Sequence, residues 1–235
     1  MTQDLESSLA ALRHRLIVSC QAPAGSPLHD PYVIARLALT AEQRGAAAVR
    51  IDSPSHIDAT RVLVTVPIIG LYKQAFEGSP VYITPTRHAA SAVIAAGADI
   101  VAIDATDRTR PFGERTSDIV RVIHAHGRLV MADVATEVQG LAAADLGVDV
   151  IGTTLSGYTD DSPRLPGPDL ALVERLAART HVPVIAEGRI RTPDDARQAF
   201  DAGAYAIVVG GAITGVDELV RQFVAVTPTQ GQVQA

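Results

Sequence analysis

Short apolar runs recur along the chain, and each is followed by an alanine-rich stretch with helical spacing. The strands they predict cover residues 16–20, 48–52, 67–73, 99–104, 129–134, 150–155, 182–188 and 205–210. Most of these runs are apolar throughout rather than alternating. That is the pattern of parallel strands covered on both faces. The stretches between them carry helix start and stop signals. Asp30-Pro31 opens one helix, with Asp as N-cap and Pro at the first helical position, and Thr192-Pro193-Asp194-Asp195 opens another in the same way. Gly45, Gly97, Gly127, Gly147 and Gly203 each stand just before the next strand and read as helix stops.

Eight strand–helix units in 235 residues predict a single (β/α)8 (TIM) barrel over the whole chain, residues 1–235. A doubly wound sheet would also alternate strands and helices. It would normally carry a glycine-rich dinucleotide fingerprint after the first strand, where this chain has Cys20-Gln21-Ala22-Pro23. The polar tail, residues 227–235, is expected to fray.

Composition narrows the function classes. Hydrophobic residues make up 47% of the chain and aromatics only 4%, so the core is built from Ala, Val, Ile and Leu. A net charge of −6 without a basic cluster argues against a nucleic-acid surface. No apolar run reaches membrane-spanning length, and the first residues do not read as an export signal. One cysteine, Cys20, rules out an internal disulfide framework and reads as a small buried residue. A soluble, cytoplasmic protein is expected.

The chemistry of such a barrel belongs at the C-terminal ends of its strands. There the chain places Ser19 and Gln21, Arg50 and Asp52, Lys73, Asp104 with Asp107 and Arg108, Asp133, Thr153 and Thr154, Glu187 with Arg189, and Gly210-Gly211. Lys73 stands out because it is the one lysine among 20 Lys and Arg residues. Arginine keeps its proton, whereas a lysine can be tuned to lose it, so Lys73 is the first candidate for a base or an amine nucleophile. A solvated lysine at a strand end is the plain alternative. Charges at the ends of apolar strands are costly to desolvate unpaired, so Arg50, Lys73, Asp133 and Glu187 either share a functional site or form structural ion pairs. Glycines follow strands seven and eight, in Glu187-Gly188-Arg189 and Gly210-Gly211. With a short helix after strand eight they suit a phosphate. The seven histidines show no metal-ligand spacing. A carboxylate-held metal at Asp104, Asp107 and Asp133 would need more acids than these.

Several strings are more specific. Val66-Pro-Ile-Ile-Gly70 with Lys73, Ser79-Pro-Val-Tyr-Ile-Thr-Pro-Thr86, Asp104-Ala-Thr-Asp-Arg108, Gly152-Thr-Thr-Leu-Ser-Gly-Tyr-Thr159 and Val184-Ile-Ala-Glu-Gly-Arg189 are among them. Over almost its whole length the chain resembles the bacterial N-acetylmannosamine-6-phosphate 2-epimerases of sialic acid catabolism. That resemblance implies a ribulose-phosphate-binding-type barrel that interconverts N-acetylmannosamine 6-phosphate and N-acetylglucosamine 6-phosphate as a homodimer, without metal or nucleotide cofactor. It implies Lys73 as the base at C2, Glu187 as its acid/base partner and Asp133 as the carboxylate orienting the lysine. It further implies Arg50, Gln21, Asp104 and Thr154 at the substrate, with Gly188, Arg189, Gly210 and Gly211 at the phosphate.

The chain departs from the family pattern at Gln74-Ala75 and, more weightily, at Gly215, where members often carry an arginine. Asp52 and Ala135 are milder departures. Two other readings stay open: a lyase or aldolase in which Lys73 forms a Schiff base, and a barrel that only binds a sugar phosphate. Borohydride trapping separates the first from an epimerase, because a proton-shuttling amine is not captured covalently.

Overall fold

A computed structural model describes residues 9–228. Eight parallel strands pair in chain order, and β8 returns to β1 to close the barrel. The strands are β1 (Leu16–Cys20), β2 (Ala48–Asp52), β3 (Ile68–Leu71), β4 (Ile100–Asp104), β5 (Leu129–Asp133), β6 (Val150–Gly152), β7 (Val184–Glu187) and β8 (Ala206–Val209). The helices that follow them are α1 (Pro31–Gln43), α2 (Pro54–Arg61), α3 (Arg87–Ala95), α4 (Thr116–Ala125), α5 (Glu137–Asp145), α6 (Leu170–Arg179), α7 (Pro193–Asp201), α8 (Gly211–Thr214) and α9 (Val216–Val224). The predicted (β/α)8 barrel is the fold observed. Residues 229–235 of the polar tail lie outside the described residues.

Local chemistry sets the helix ends. The Asp30 carboxylate accepts the Tyr32 and Val33 amides at 2.9 and 3.1 Å, and Thr192 forms a reciprocal capping box with Asp195. All five glycines read as helix stops adopt positive φ, which a residue with a Cβ reaches only with strain.

Side-chain parity along the strands separates two cores. Val18, Val49, Ile51, Val130, Ala132 and Ala186 pack outward under the helices. Ile17, Ala48, Ile69, Ile100, Met131 and Ile185 fill the barrel. Because the strand period is two, the inward row continues toward the C-terminal ends through Ser19, Arg50, Asp104, Asp133 and Glu187. The same parity carries past the end of β3 to Lys73. The barrel therefore has an apolar floor and a polar mouth. Strand β3 is shorter than predicted: its ladder stops at Leu71, and Lys73 sits beyond it in an isolated antiparallel bridge with Ile83. Strand β6 likewise stops at Gly152, and the chain turns there instead of extending to residue 155.

Candidate active site

At the mouth lies a cavity of about 820 Å³, reached by side chains from β1, β2, β7 and the loops beyond β3 and β8. Arg50 is its deepest charge. The residue is only 1% exposed, and a cation in that position needs close anions. The Asp133 carboxylate accepts from Nη2 at 2.5 Å and from Nη1 at 3.1 Å, and Glu187 accepts from Nη1 as well. Thr154 donates its hydroxyl to Asp133 at 2.6 Å and lies 3.3 Å from Arg50 Nη1. These two carboxylates hold the Arg50 proton more firmly than usual, against the effect of burial.

The two acids differ in setting. Asp133 is fully buried and bonded on both oxygens. Glu187 faces the cavity, and burial pushes its carboxyl up to about 7, with Arg50 opposing and Asp133 reinforcing the shift. A carboxyl poised there holds or releases a proton near neutrality, as a general acid/base must.

Lys73 opens onto the same cavity. Its side chain is 44% exposed, and its amine donates to the Gln21 amide oxygen at 2.5 Å. The Gln21 amide nitrogen in turn donates to Ser19 Oγ at 3.0 Å. The lysine pKa is lowered, first by burial and then by the Arg50 charge, while Asp52, Glu187 and Asp133 act against the shift. Asp52 is the carboxylate nearest the amine: its Oδ2 stands 3.9 Å from Nζ, and its Oδ1 accepts the Lys73 backbone amide at 2.9 Å. The role of orienting the lysine, expected of Asp133, is therefore geometrically Asp52's. Asp133 instead orients Arg50. Asp52 has the same inward parity as Arg50, and its strand-end position marks it in the sequence, but position alone did not pair it with Lys73.

Other expected residues divide. Gly188, Gly210 and Gly211 all line the cavity, and Gly188 has φ +109°, a conformation reserved in practice for glycine. Thr154 lines it too. Asp104 does not reach it. That carboxylate is fully buried, accepts from Thr106 at 2.6 Å and pairs with Arg108 at 2.6 Å, so it organises its own loop. Arg189 borders the cavity, but its Nε donates to the Gly167 carbonyl at 2.8 Å and its Nη1 to the Ser156 carbonyl at 2.6 Å. Its guanidinium also stacks on Tyr158, 5.6 Å from the ring centroid. Arg189 thus fastens the β6–α6 loop. Tyr82 and Tyr158 also line the cavity; both lie inside the specific strings 79–86 and 152–159, but nothing in those strings assigned either a role at the site.

Gly215 joins α8 to α9 at the cavity edge. A Cβ there would stand 2.6 Å from the Gly211 carbonyl oxygen and 2.8 Å from its Cα, so the backbone itself occupies the place of a side chain. Cys20 is fully buried, and burial lifts its thiol pKa to about 12, which makes it inert packing. Among the described residues no group of three or more His, Cys, Asp or Glu is arranged to hold a metal, and no helix is long and apolar enough to cross a membrane.

A lysine and a proton-poised carboxyl sharing one barrel mouth are the equipment of a barrel isomerase. Known proteins narrow that class to one family. A family model described as "Putative N-acetylmannosamine-6-phosphate epimerase" matches residues 34–228. A relative from Caldanaerobacter subterraneus subsp. tengcongensis, described as "Putative N-acetylmannosamine-6-phosphate 2-epimerase", is 51% identical over 91% of each chain. Another from Thermosynechococcus vestitus is 50% identical over 91% of this chain and 93% of its own. The solved N-acetylmannosamine-6-phosphate 2-epimerase from Clostridium perfringens superposes with a TM-score of 0.90 at 42% identity, over 93% of this chain and 96% of that one. The chain belongs to the N-acetylmannosamine-6-phosphate 2-epimerase family.

Proposed function

We propose that this protein interconverts N-acetylmannosamine 6-phosphate and N-acetylglucosamine 6-phosphate by exchanging the proton at C2 of the ring-opened sugar. The observation that carries this reading is the shared cavity of Lys73 and Glu187, with Gly188, Gly210 and Gly211 in its wall. The C2 hydrogen is acidic only when C1 is an aldehyde, so the ring opens first. Glu187 takes the C1 hydroxyl proton and gives one to the ring oxygen. The Lys73 amine then removes the C2 proton, and the electron pair moves onto the C1 oxygen as an enolate. Protonation of the opposite face of C2 completes epimerisation, with Glu187 as the partner acid. Arg50 has its Nη donors engaged by Asp133, Glu187 and Thr154. It acts through its charge, favouring the enolate and holding Glu187 in place. Backbone amides around Gly188, Gly210 and Gly211 receive the phosphate. The test is proton NMR in D2O with each hexosamine phosphate. Appearance of the other epimer with deuterium at C2 is expected, and absence of both would sink the reading.

The active form carries one proton shared between Lys73 and Glu187, whichever of them holds it. The pH profile of kcat/KM is therefore bell-shaped. It rises through about 7 as Glu187 loses the first proton, and falls on the alkaline side as Lys73 loses the second. Asp52 raises the lysine pKa, so Asp52→Asn moves the alkaline limb to lower pH, while Glu187→Gln abolishes the acid limb with most of the activity. A profile unmoved by Asp52→Asn would refute that carboxylate's part.

The reading extends to a homodimer in the cytoplasm. Helix α9 buries none of its residues within the chain and exposes Val216, Val220, Phe223 and Val224, an apolar stripe that a second copy would cover. Sedimentation velocity at micromolar concentration is expected to give twice the chain mass of 24.6 kDa, and a monomer would count against it.

A further inference from the structure

Four cationic side chains border the cavity: Arg50, Lys73, Arg189 and Arg191. Three of them are engaged. Arg50 is held by Asp133 and Glu187, Lys73 by Gln21, and Arg189 by two loop carbonyls and the Tyr158 ring. Arg191 differs. Among the described residues its guanidinium has no ion pair and no hydrogen-bond partner, yet its backbone is fixed on both sides. Ile190 before it is 5% exposed. Its own N–H donates to the Asp195 carboxylate at 2.9 Å, within the capping box that opens α7. The two residues ahead of Ile190, Gly188 at φ +109° and Arg189 at φ +58°, turn the chain sharply as it leaves β7. The result is a free guanidinium on a fixed stem beside the glycine-lined wall.

Two carboxylates compete for that charge: Asp195, which feels it but has one oxygen taken by the Arg191 and Thr192 amides, and Glu218 on α9, which also borders the cavity. The two Glu218 oxygens are occupied by Arg221 at 2.9 Å and Gln222 at 3.0 Å. Nor can residue 215 supply a charge from the opposite edge, because the Gly211 backbone fills the space a side chain would need.

We propose that Arg191 is the side chain that binds the phosphate monoester of the substrate and sets the preference for phosphorylated over free sugar. This rests on the epimerase reading above. A guanidinium suits a phosphate because it donates two parallel hydrogen bonds to two oxygens, and its charge adds to that of the backbone amides.

Arg191→Gln is expected to raise KM for N-acetylmannosamine 6-phosphate roughly ten- to a hundredfold, the size of one or two hydrogen bonds to a charged group, with kcat changed less than threefold. Inhibition by inorganic phosphate should weaken by a similar factor. The kcat/KM ratio of phosphorylated to unphosphorylated N-acetylmannosamine should fall in step, and Arg191→Lys should recover part of the loss. A KM within twofold of the parent overturns the proposal, as does an equal loss on both sugars, which would indicate a merely structural role. If the parent protein turns over neither hexosamine phosphate, the epimerase reading has failed, and Arg191 is judged by calorimetry with inorganic phosphate alone. Binding that Arg191→Gln abolishes supports the assignment. Equal binding, or none by the parent, overturns it.

Discussion

Replacing Lys73 by alanine is expected to lower turnover by about 10² to 10⁴-fold and to remove deuterium incorporation at C2, while the barrel stays folded. The fold should survive because this side chain is 44% exposed and makes one side-chain hydrogen bond, to Gln21. Nothing in the buried core depends on it. Lys73→Arg is the sharper variant. It preserves the positive charge, but a guanidinium does not give up its proton near neutral pH, so exchange should be lost just as fully. Together the two substitutions separate a chemical requirement for a deprotonatable amine from an electrostatic requirement for a cation. Full exchange in either variant would exclude the proposed base.

The second large effect concerns Arg50. Arg50→Met is expected to destabilise the protein by about 3–5 kcal/mol, the cost of removing one partner from a buried ion pair. Asp133, fully buried, would be left without its counter-ion. Glu187 would lose the cation that opposes its raised pKa and would hold its proton to higher pH still, and the lysine would lose a neighbour that lowers its own. Activity should therefore fall together with stability. Urea denaturation reads the first and the epimer assay the second. The double variant Arg50→Met, Asp133→Leu tells the causes apart. With the stranded carboxylate gone, stability should largely return while activity does not. A single variant as stable as the parent would show that the buried charges are not mutually dependent.

The parts of this structure that depend on neighbouring residues were legible in the chain. Asp30 and Thr192 cap the helices they were expected to cap, because a cap is decided within four residues. Strands β1 and β2 end where their apolar runs meet polar residues. Strands β5 and β6 end sooner than their runs suggest. Val134 and Leu155 are buried, but Leu155 donates its amide to Val134 across the loops, so apolar sequence continues after the ladder has stopped. At the site, a strand-end position was enough to find Arg50, Lys73 and Glu187. It could not assign partners. Asp104 and Asp133 end adjacent strands in the same register, yet one pairs with Arg108 in its own loop and the other with Arg50 across the barrel. Only the closed barrel makes that choice, since Asp133 and Arg50 meet from 83 residues apart.

Having one lysine also has a practical side. Acylating reagents used to tether or tag proteins attack unprotonated amines, and in this chain the half-open side chain beside Gln21 and the main-chain terminus are the amines on offer. A fluorescent succinimidyl ester on Lys73 would therefore report on the barrel mouth, and peptide mapping tells it from label on the terminal amine. A competing sugar phosphate should shield Lys73, and on the proposed mechanism a bead coupled through that nitrogen should carry inactive protein.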